Sequence, residues 1–177
     1  DEKKRITQKI ESEIARIIEE ERKKAIKAEF TPEMKLIGEN FADNKGRIPW
    51  PVEKGVITSQ FGLQKHPVLE YVTEDNIGIE ITSFDKTVVR SIFKGQVVRV
   101  FAIPGANSSI IIRHGKYLSA YQNLINVKVK QLDMVDTKQD IAEVFCDIEN
   151  GSKSILKFYI YEGYEKVDPE LWLVKKR

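Results

Sequence analysis

The stretch Ser109-Ile110-Ile111-Ile112-Arg113-His114-Gly115-Lys116-Tyr117-Leu118-Ser119-Ala120-Tyr121-Gln122-Asn123-Leu124 decides the fold class. It holds two β-branched or aromatic runs, Ser109–His114 and Leu118–Asn123, parted at Gly115. Short runs of this kind, broken by glycine, read as strands. The same rhythm continues upstream in Gln96–Ile103, Thr87–Ile92, Ile77–Ile81 and Val56–Phe61, and downstream in Asn126–Val129, Asp140–Phe145 and Ile155–Tyr161. Gly95, Gly105 and Gly151 punctuate it, and no helical period intervenes. The expectation is a mostly β domain, an antiparallel sheet or sandwich, from Gly46 onward. Pro49-Trp50-Pro51 gives it an extended lead-in. Asp168-Pro169-Glu170-Leu171-Trp172-Leu173 reads as one helical turn that docks Trp172.

Before Gly46 the sequence obeys a different rule. Residues 1–29 carry 9 basic and 8 acidic side chains, and no Gly or Pro occurs before Pro32. Ile6, Ile10, Ile14 and Ile17 recur at steps of four, four and three, with Ile18 beside them, which is one stripe of a helix. Ala25, Ile26 and Ala28 continue the stripe more thinly. Glu19 with Lys23 and Glu20 with Lys24 are Glu-to-Lys pairs four apart. So charged a helix with so narrow a seam reads as the end of a coiled coil over residues 1–30. A helix resting on the following domain is the other reading. Because the chain opens at Asp1 directly on this pattern, a longer parent protein is expected, with the coil's partner strand outside this chain.

A short amphipathic helix is expected within 31–45. Thr31-Pro32-Glu33 supplies an N-cap, a first-turn proline and an acid at the positive end of the dipole. Met34, Ile37 and Phe41 form its apolar face, and Asn44-Lys45-Gly46 stops it.

Composition narrows the chemistry. The 177 residues are 41% hydrophobic, enough for a real core, so wholesale disorder is excluded. A net charge of +2 argues against a dedicated nucleic-acid binder. The single cysteine, Cys146, excludes an internal disulfide and any multi-cysteine metal site. No apolar run approaches the roughly 20 residues that span a bilayer. Only His66 and His114 are present, each beside a turn residue, and no His-x-His, His-Glu-x-x-His or Gly-x-Ser-x-Gly occurs. Spacing alone therefore yields a β-rich domain with a helical arm and no catalytic constellation.

Several motifs in order carry a resemblance. Gly46-Arg47-Ile48-Pro49-Trp50-Pro51-Val52 and Gly55-Val56-Ile57-Thr58-Ser59-Gln60-Phe61-Gly62 resemble the opening of the LytM/lysostaphin-type zinc peptidase domain. Asn76-Ile77-Gly78-Ile79-Glu80-Ile81 sits where that family writes His-x-Gly-x-Asp. Val88–Gly95 with Val97-Val98, and Ile110–Gly115 with Leu118–Leu124, are similar to its next strand pairs. Ile155-Leu156-Lys157-Phe158-Tyr159-Ile160 takes the place of its His-x-His-Phe-Glu-Ile. The resemblance implies a LytM-type fold, a duplicated hybrid motif, over 46–177.

It also implies a lost zinc site. The family's metal positions fall here on Asn76, Glu80 and Lys157, and two further histidine positions on Ile155 and Asn123. Zinc takes deprotonated N, S or O ligands, and an ammonium opposes a divalent cation. Glu80 and Lys157 are expected to pair instead. The chain is thus expected to be a pseudoenzyme with no catalytic residue, metal or cofactor, working through the vacated groove. Tyr71, Tyr121, Tyr159, Asn123 and Ile155 are its candidate partner-binding positions.

The helical arm, the capped short helix and the metal-less domain together resemble the EnvC-like murein hydrolase activators. The resemblance implies a periplasmic protein of the cell envelope and of cell division. Such a protein binds a peptidoglycan amidase in the groove and connects through its coiled coil to an FtsEX-type transporter complex, with peptidoglycan itself a further possible ligand. It further implies that a helix can plug the groove, with Met34, Ile37 and Phe41 as the plugging contacts. A permanent brace is the other reading of that helix. A peptidoglycan- or glycan-binding module, or an active zinc endopeptidase, are the alternatives for the whole.

Overall fold

The computed structural model describes residues 2–25, 31–66 and 68–176, without the side chains of residues 3, 18 and 21–25. Two helices come first, α1 (Glu2–Ala25) and α2 (Pro32–Asp43). The strands are β1 (Val56–Ser59), β2 (Gly62–Lys65), β3 (Thr73–Asn76), β4 (Ile79–Phe84), β5 (Val88–Arg90), β6 (Gly95–Ala102), β7 (Ser108–His114), β8 (Tyr117–Ile125), β9 (Met134–Val135), β10 (Asp140–Val144), β11 (Cys146–Asp147), β12 (Lys153–Glu162) and β13 (Glu165–Val167). The main sheet runs β1-β4-β12-β8-β7-β6-β9, with every ladder antiparallel. β10 bridges β8 to β5, while β11 and β13 pair with β12. The protein is a mostly β LytM-type fold behind two helices.

Two strand expectations shift. Asn126–Val129 is not a strand: Asn126 has φ +50°, which turns the chain out of extended conformation as β8 ends at Ile125. The hairpin β2–β3 goes unseen in the sequence because its strands, Gly-Leu-Gln-Lys and Thr-Glu-Asp-Asn, are polar and largely exposed.

The central strand β12 shows how the sheet divides its side chains. Leu156, Phe158 and Ile160 face the main core with Ile79, Ile81, Ile110, Ile112, Tyr121 and Leu124. Tyr159 and Tyr161 point to the opposite face, among Ile77, Ile111, Leu118 and Ala120. That second face is as apolar as a core and needs a cover. Ile6, Ile10, Ile14 and Ile17 of α1 provide it. Each buried isoleucine is worth about 1.5–3 kcal/mol. The seam expected to meet a coil partner over residues 1–30 is therefore filled by the chain's own sheet, at least through Ile17. The side chains of Ile18, Lys23 and Lys24, and residues Ile26 and Ala28, lie outside the described part.

α2 forms as its signals direct. Thr31 Oγ1 accepts the Met34 N–H at 3.2 Å, and Met34, Ile37 and Phe41 are buried. They do not lie on the groove. The Phe41 ring stacks on His114 (centroids 4.9 Å, 11°) and on Trp172 (5.0 Å, 26°). Met34 Sδ accepts the Gly115 N–H at 3.2 Å. Gly38 lets the helix approach this closely, since a Cβ there would come within 3.0 Å of Gly115 Cα. α2 thus braces the β7–β8 turn. At the C-terminus Asp168 caps the turn Pro169–Leu171 and Trp172 is buried, as the sequence indicates. No helix among the described residues is long and apolar enough to cross a membrane.

Candidate functional site

Asn76 closes β3, Glu80 is the second residue of β4, and Lys157 lies mid-way along β12. Gly78 brings the first two against the third: a Cβ at 78 would fall 2.4 Å from both Phe158 O and Tyr159 Cδ2. In the β12–β4 ladder Lys157 stands directly opposite Glu80. Residues so opposed have Cβ atoms about 5 Å apart. Asn76 turns its amide nitrogen away, donating to Ser59 Oγ at 3.1 Å and Gln60 O at 2.9 Å. The crevice between Asn76, Glu80, Lys157 and Tyr159 holds only about 40 Å³, with Thr7 of α1 among its walls. Burial, and after it the Glu80 carboxylate, push the Tyr159 phenol above its ordinary range, so it stays neutral. The Glu2 carboxyl is held low, first by its bond to Arg5 and in smaller part by the Lys157 ammonium, which links this end of α1 to the site.

Beside the crevice a wider cleft of about 390 Å³ shares Glu80 and Lys157 and adds Gln122, Asn123, Ile155 and Ile6 of α1. A bulge shapes it. Ser108 pairs with Leu124 and Ser109 with Gln122, leaving Asn123 as the extra residue, at φ +79°. Its amide donates to Ile155 O and its carbonyl accepts from Asn107, each at 2.8 Å. Gln122 donates to Ala106 O at 2.6 Å, which fixes its Oε1 as an acceptor.

The structure therefore gathers Asn76, Glu80, Lys157 and Tyr159 around one crevice, and Asn123 and Ile155 around the adjoining cleft. It does not bring Tyr71 or Tyr121 there. Tyr71 is 96% exposed, in the loop between β2 and β3. Tyr121 points into the main core, because strand alternation sets it on the opposite face from Gln122. Its hydroxyl accepts the Ile92 N–H at 3.1 Å and donates to Ser119 Oγ at 2.9 Å. Ser119 in turn donates to His114 Nε2, and His114 Nδ1–H donates to Lys94 O, both at 2.8 Å. The carbonyl at the end of this chain can only accept, which fixes every proton in it. Burial, with the Arg113 charge added, pushes His114 down to about 4, so it is neutral. His66 serves a turn: its Nδ1 accepts the Val68 and Leu69 N–H groups at 3.1 and 3.0 Å.

Residues 74–169 match peptidase family M23. This chain belongs to that family. A search of the curated proteins found no match. Among solved structures, the SpoIIQ–SpoIIIAH pore-forming complex contains a chain with 18% identity and a TM-score of 0.61, covering 75% of this chain and 93% of that one. Helicobacter pylori Csd3 shares 20% identity at a TM-score of 0.61, covering 73% of this chain and 35% of Csd3. A zinc-containing peptidase from Vibrio cholerae shares 25% identity at 0.57, covering 74% of this chain and 41% of the peptidase. The chain thus spans well under half the length of these last two.

Membership of M23 raises the question of a zinc ion, and these residues do not fit one. A catalytic zinc site commonly takes three protein ligands plus a water. Of the residues that motif order aligns with such ligands, Asn76 is an amide already committed to Ser59 and Gln60, and Lys157 is an ammonium. Among the described residues no three His, Cys, Asp or Glu side chains gather where a metal could sit. The sequence reading missed the site's roof, Ile6 and Thr7, and the cleft residues Gln122, Asn107 and Lys153. The isoleucine stripe was the legible signal for the roof, but its partner was sought first in a part of the protein outside this sequence, with a helix resting on the domain as the other reading. Gln122 was masked by the bulge, which lets two successive residues face one cleft.

Proposed function

We propose that this chain is a non-catalytic M23 module of the cell envelope, periplasmic, that binds a peptidoglycan amidase and activates it. The observation that carries the reading is that Asn76, Glu80 and Lys157, which the motif order aligns with the family's ligands, line one crevice with a helix of the same chain among its walls. A site that held substrate for hydrolysis would have to be open to it. This one is roofed on one side by an amphipathic helix, the occupant that such a face suits. α1 takes the plugging role anticipated for Met34, Ile37 and Phe41, whose helix is a brace. Asn123, Ile155 and Tyr159 are then partner-contacting residues. That a relative of the same fold is seen in a complex with a second protein, SpoIIIAH, supports protein capture as a use of this fold.

Activation follows as a shift between two populations. In one, α1 covers Tyr159, Tyr161 and the crevice. In the other, a helix of the amidase takes its place, and the amidase is freed from whatever that helix blocked. Moving a 1:99 balance to 99:1 takes about 5.5 kcal/mol of differential binding. A transporter complex of FtsEX type acting on the chain N-terminal to α1 is the proposed source of that bias. The test is amidase activity on purified sacculi with the intact chain and with Ile10→Asp/Ile14→Asp, which unseats α1. Activation by the double variant beyond the intact chain is expected. Absence of amidase binding by both proteins sinks the reading.

A further inference from the structure

α1 is an incomplete occupant of the face it covers. Tyr161, only 4% exposed, lies beneath it among Ile6, Ile10, Ile14 and Ile17, yet its hydroxyl has no hydrogen-bond partner among the described residues. Arg99 donates through Nη2 to Glu20 Oε2 of α1 at 2.8 Å, while its Nε is buried and has no hydrogen-bond partner among the described residues. A guanidinium offers two parallel donors to one carboxylate, and α1 engages half of that fork. Both groups can donate, and the Tyr161 hydroxyl can accept as well. Leaving a buried donor unmade is costly, and satisfying it is the most direct way for a competitor to outbind α1. Glu11 is the acidic residue of α1 that acts on Tyr161, and Glu20 the one on Arg99. Nine residues of helix separate them, a rise of about 13 Å.

We infer that the face beneath α1 is built to be read by a different helix: amphipathic, with an apolar stripe like that of Ile6–Ile17, and with two acceptor side chains, one for the Tyr161 hydroxyl and a carboxylate for the whole Arg99 fork, about 13 Å apart along the helix axis and on opposite flanks of that stripe. The inference rests on the reading that a partner displaces α1, and it names what that partner must carry. A swapped α1 from a second copy would leave the same two donors unpaired, so the geometry selects a foreign helix. Tyr161 and Arg99 are thus specificity-determining residues. They penalise the closed state and reward the right partner.

The test uses the full chain with the catalytic domain of a peptidoglycan amidase, inhibitory helix included, as probe. Tyr161→Phe and Arg99→Lys are each made in the Ile10→Asp background and in the otherwise native chain. Binding is measured by calorimetry, and the protection of α1 by hydrogen exchange. Tyr161→Phe should leave α1 protection equal or higher while weakening probe affinity about tenfold. Arg99→Lys, which keeps the charge but not the fork, should weaken it by a similar factor. Unchanged affinity in both variants overturns the inference alone. So does a loss of α1 protection in Tyr161→Phe, which would make the tyrosine a prop. No binding of the probe by the Ile10→Asp chain itself removes the reading and the inference together.

Discussion

Lys157 and Glu80 face each other across the β12–β4 ladder, an ammonium opposite a carboxylate in one crevice with Asn76. Asn76 is bonded into the β1–β2 turn, so this donor set offers an amide, an ammonium and one carboxylate to a metal. Excess zinc should therefore leave the melting temperature of the native chain unchanged. The triple variant Asn76→His/Glu80→Asp/Lys157→His replaces the donor set. At zinc a hundredfold above its Kd it should gain about 2.7 kcal/mol, or roughly 5–10 °C. Calorimetric melting with metal analysis checks both. One zinc per native chain would show that the donor set had been misjudged.

α1 and the sheet meet through isoleucine side chains and through exposed ion pairs such as Arg99–Glu20, not through a shared backbone ladder. A charge placed in that seam should release the helix and spare the sheet, since an unpaired buried carboxylate costs several kcal/mol. In Ile10→Asp, hydrogen exchange should become fast over residues 2–25 and stay slow over β7, β8 and β12. Concerted loss of protection in both regions would make α1 part of the core rather than a cover.

The long strands of the main sheet were legible because each carries its own β-branched run, as in Ser109–His114, whereas the short β9, β11 and β13 carry none and were not expected. The hairpin β2–β3 was not, since its strands are polar and only their pairing reveals them. Motif order grouped Asn76, Glu80 and Lys157, and the structure does gather them around one crevice, because Gly78 permits the close approach of β12. The roof was misplaced for a physical reason. An isoleucine stripe says that a helix must be covered but not by what, and only the outward alternation of Tyr159 and Tyr161 supplies the answer. Tyr121 misled in the opposite sense, as the same alternation turns it inward.

His114 makes stability depend on pH. Its folded pKa is pushed down to about 4, against an unfolded value of about 6.5. Between these values the unfolded chain binds the extra proton, so stability rises with pH across that window. About 3 kcal/mol should be lost as pH falls from 6.5 to 4, from this group alone. The comparison is urea unfolding at several pH values for the native chain and His114→Gln. The variant is less stable at neutral pH, but its slope between pH 4 and 6.5 should be shallower. Parallel curves would mean that the imidazole is not held neutral.

The close contact of α2 with the β7–β8 turn can be separated from backbone strain, because two glycines share a conformation and differ in surroundings. Gly115 and Gly151 both have φ +68°. A Cβ at Gly151 meets nothing within 4 Å, whereas at Gly115 it would lie 2.4 Å from Gly38 Cα and 2.9 Å from Gly38 N. Gly151→Ala should cost only the left-handed penalty, about 1–2 kcal/mol. Gly115→Ala carries the same penalty and must also push α2 off the turn, disturbing the stacked rings of Phe41, His114 and Trp172. Its total should exceed that of Gly151→Ala by about 2 kcal/mol or more. Denaturant unfolding of the two variants measures the difference. Equal costs would mean that α2 rides loosely on the turn, and the brace would lose its standing.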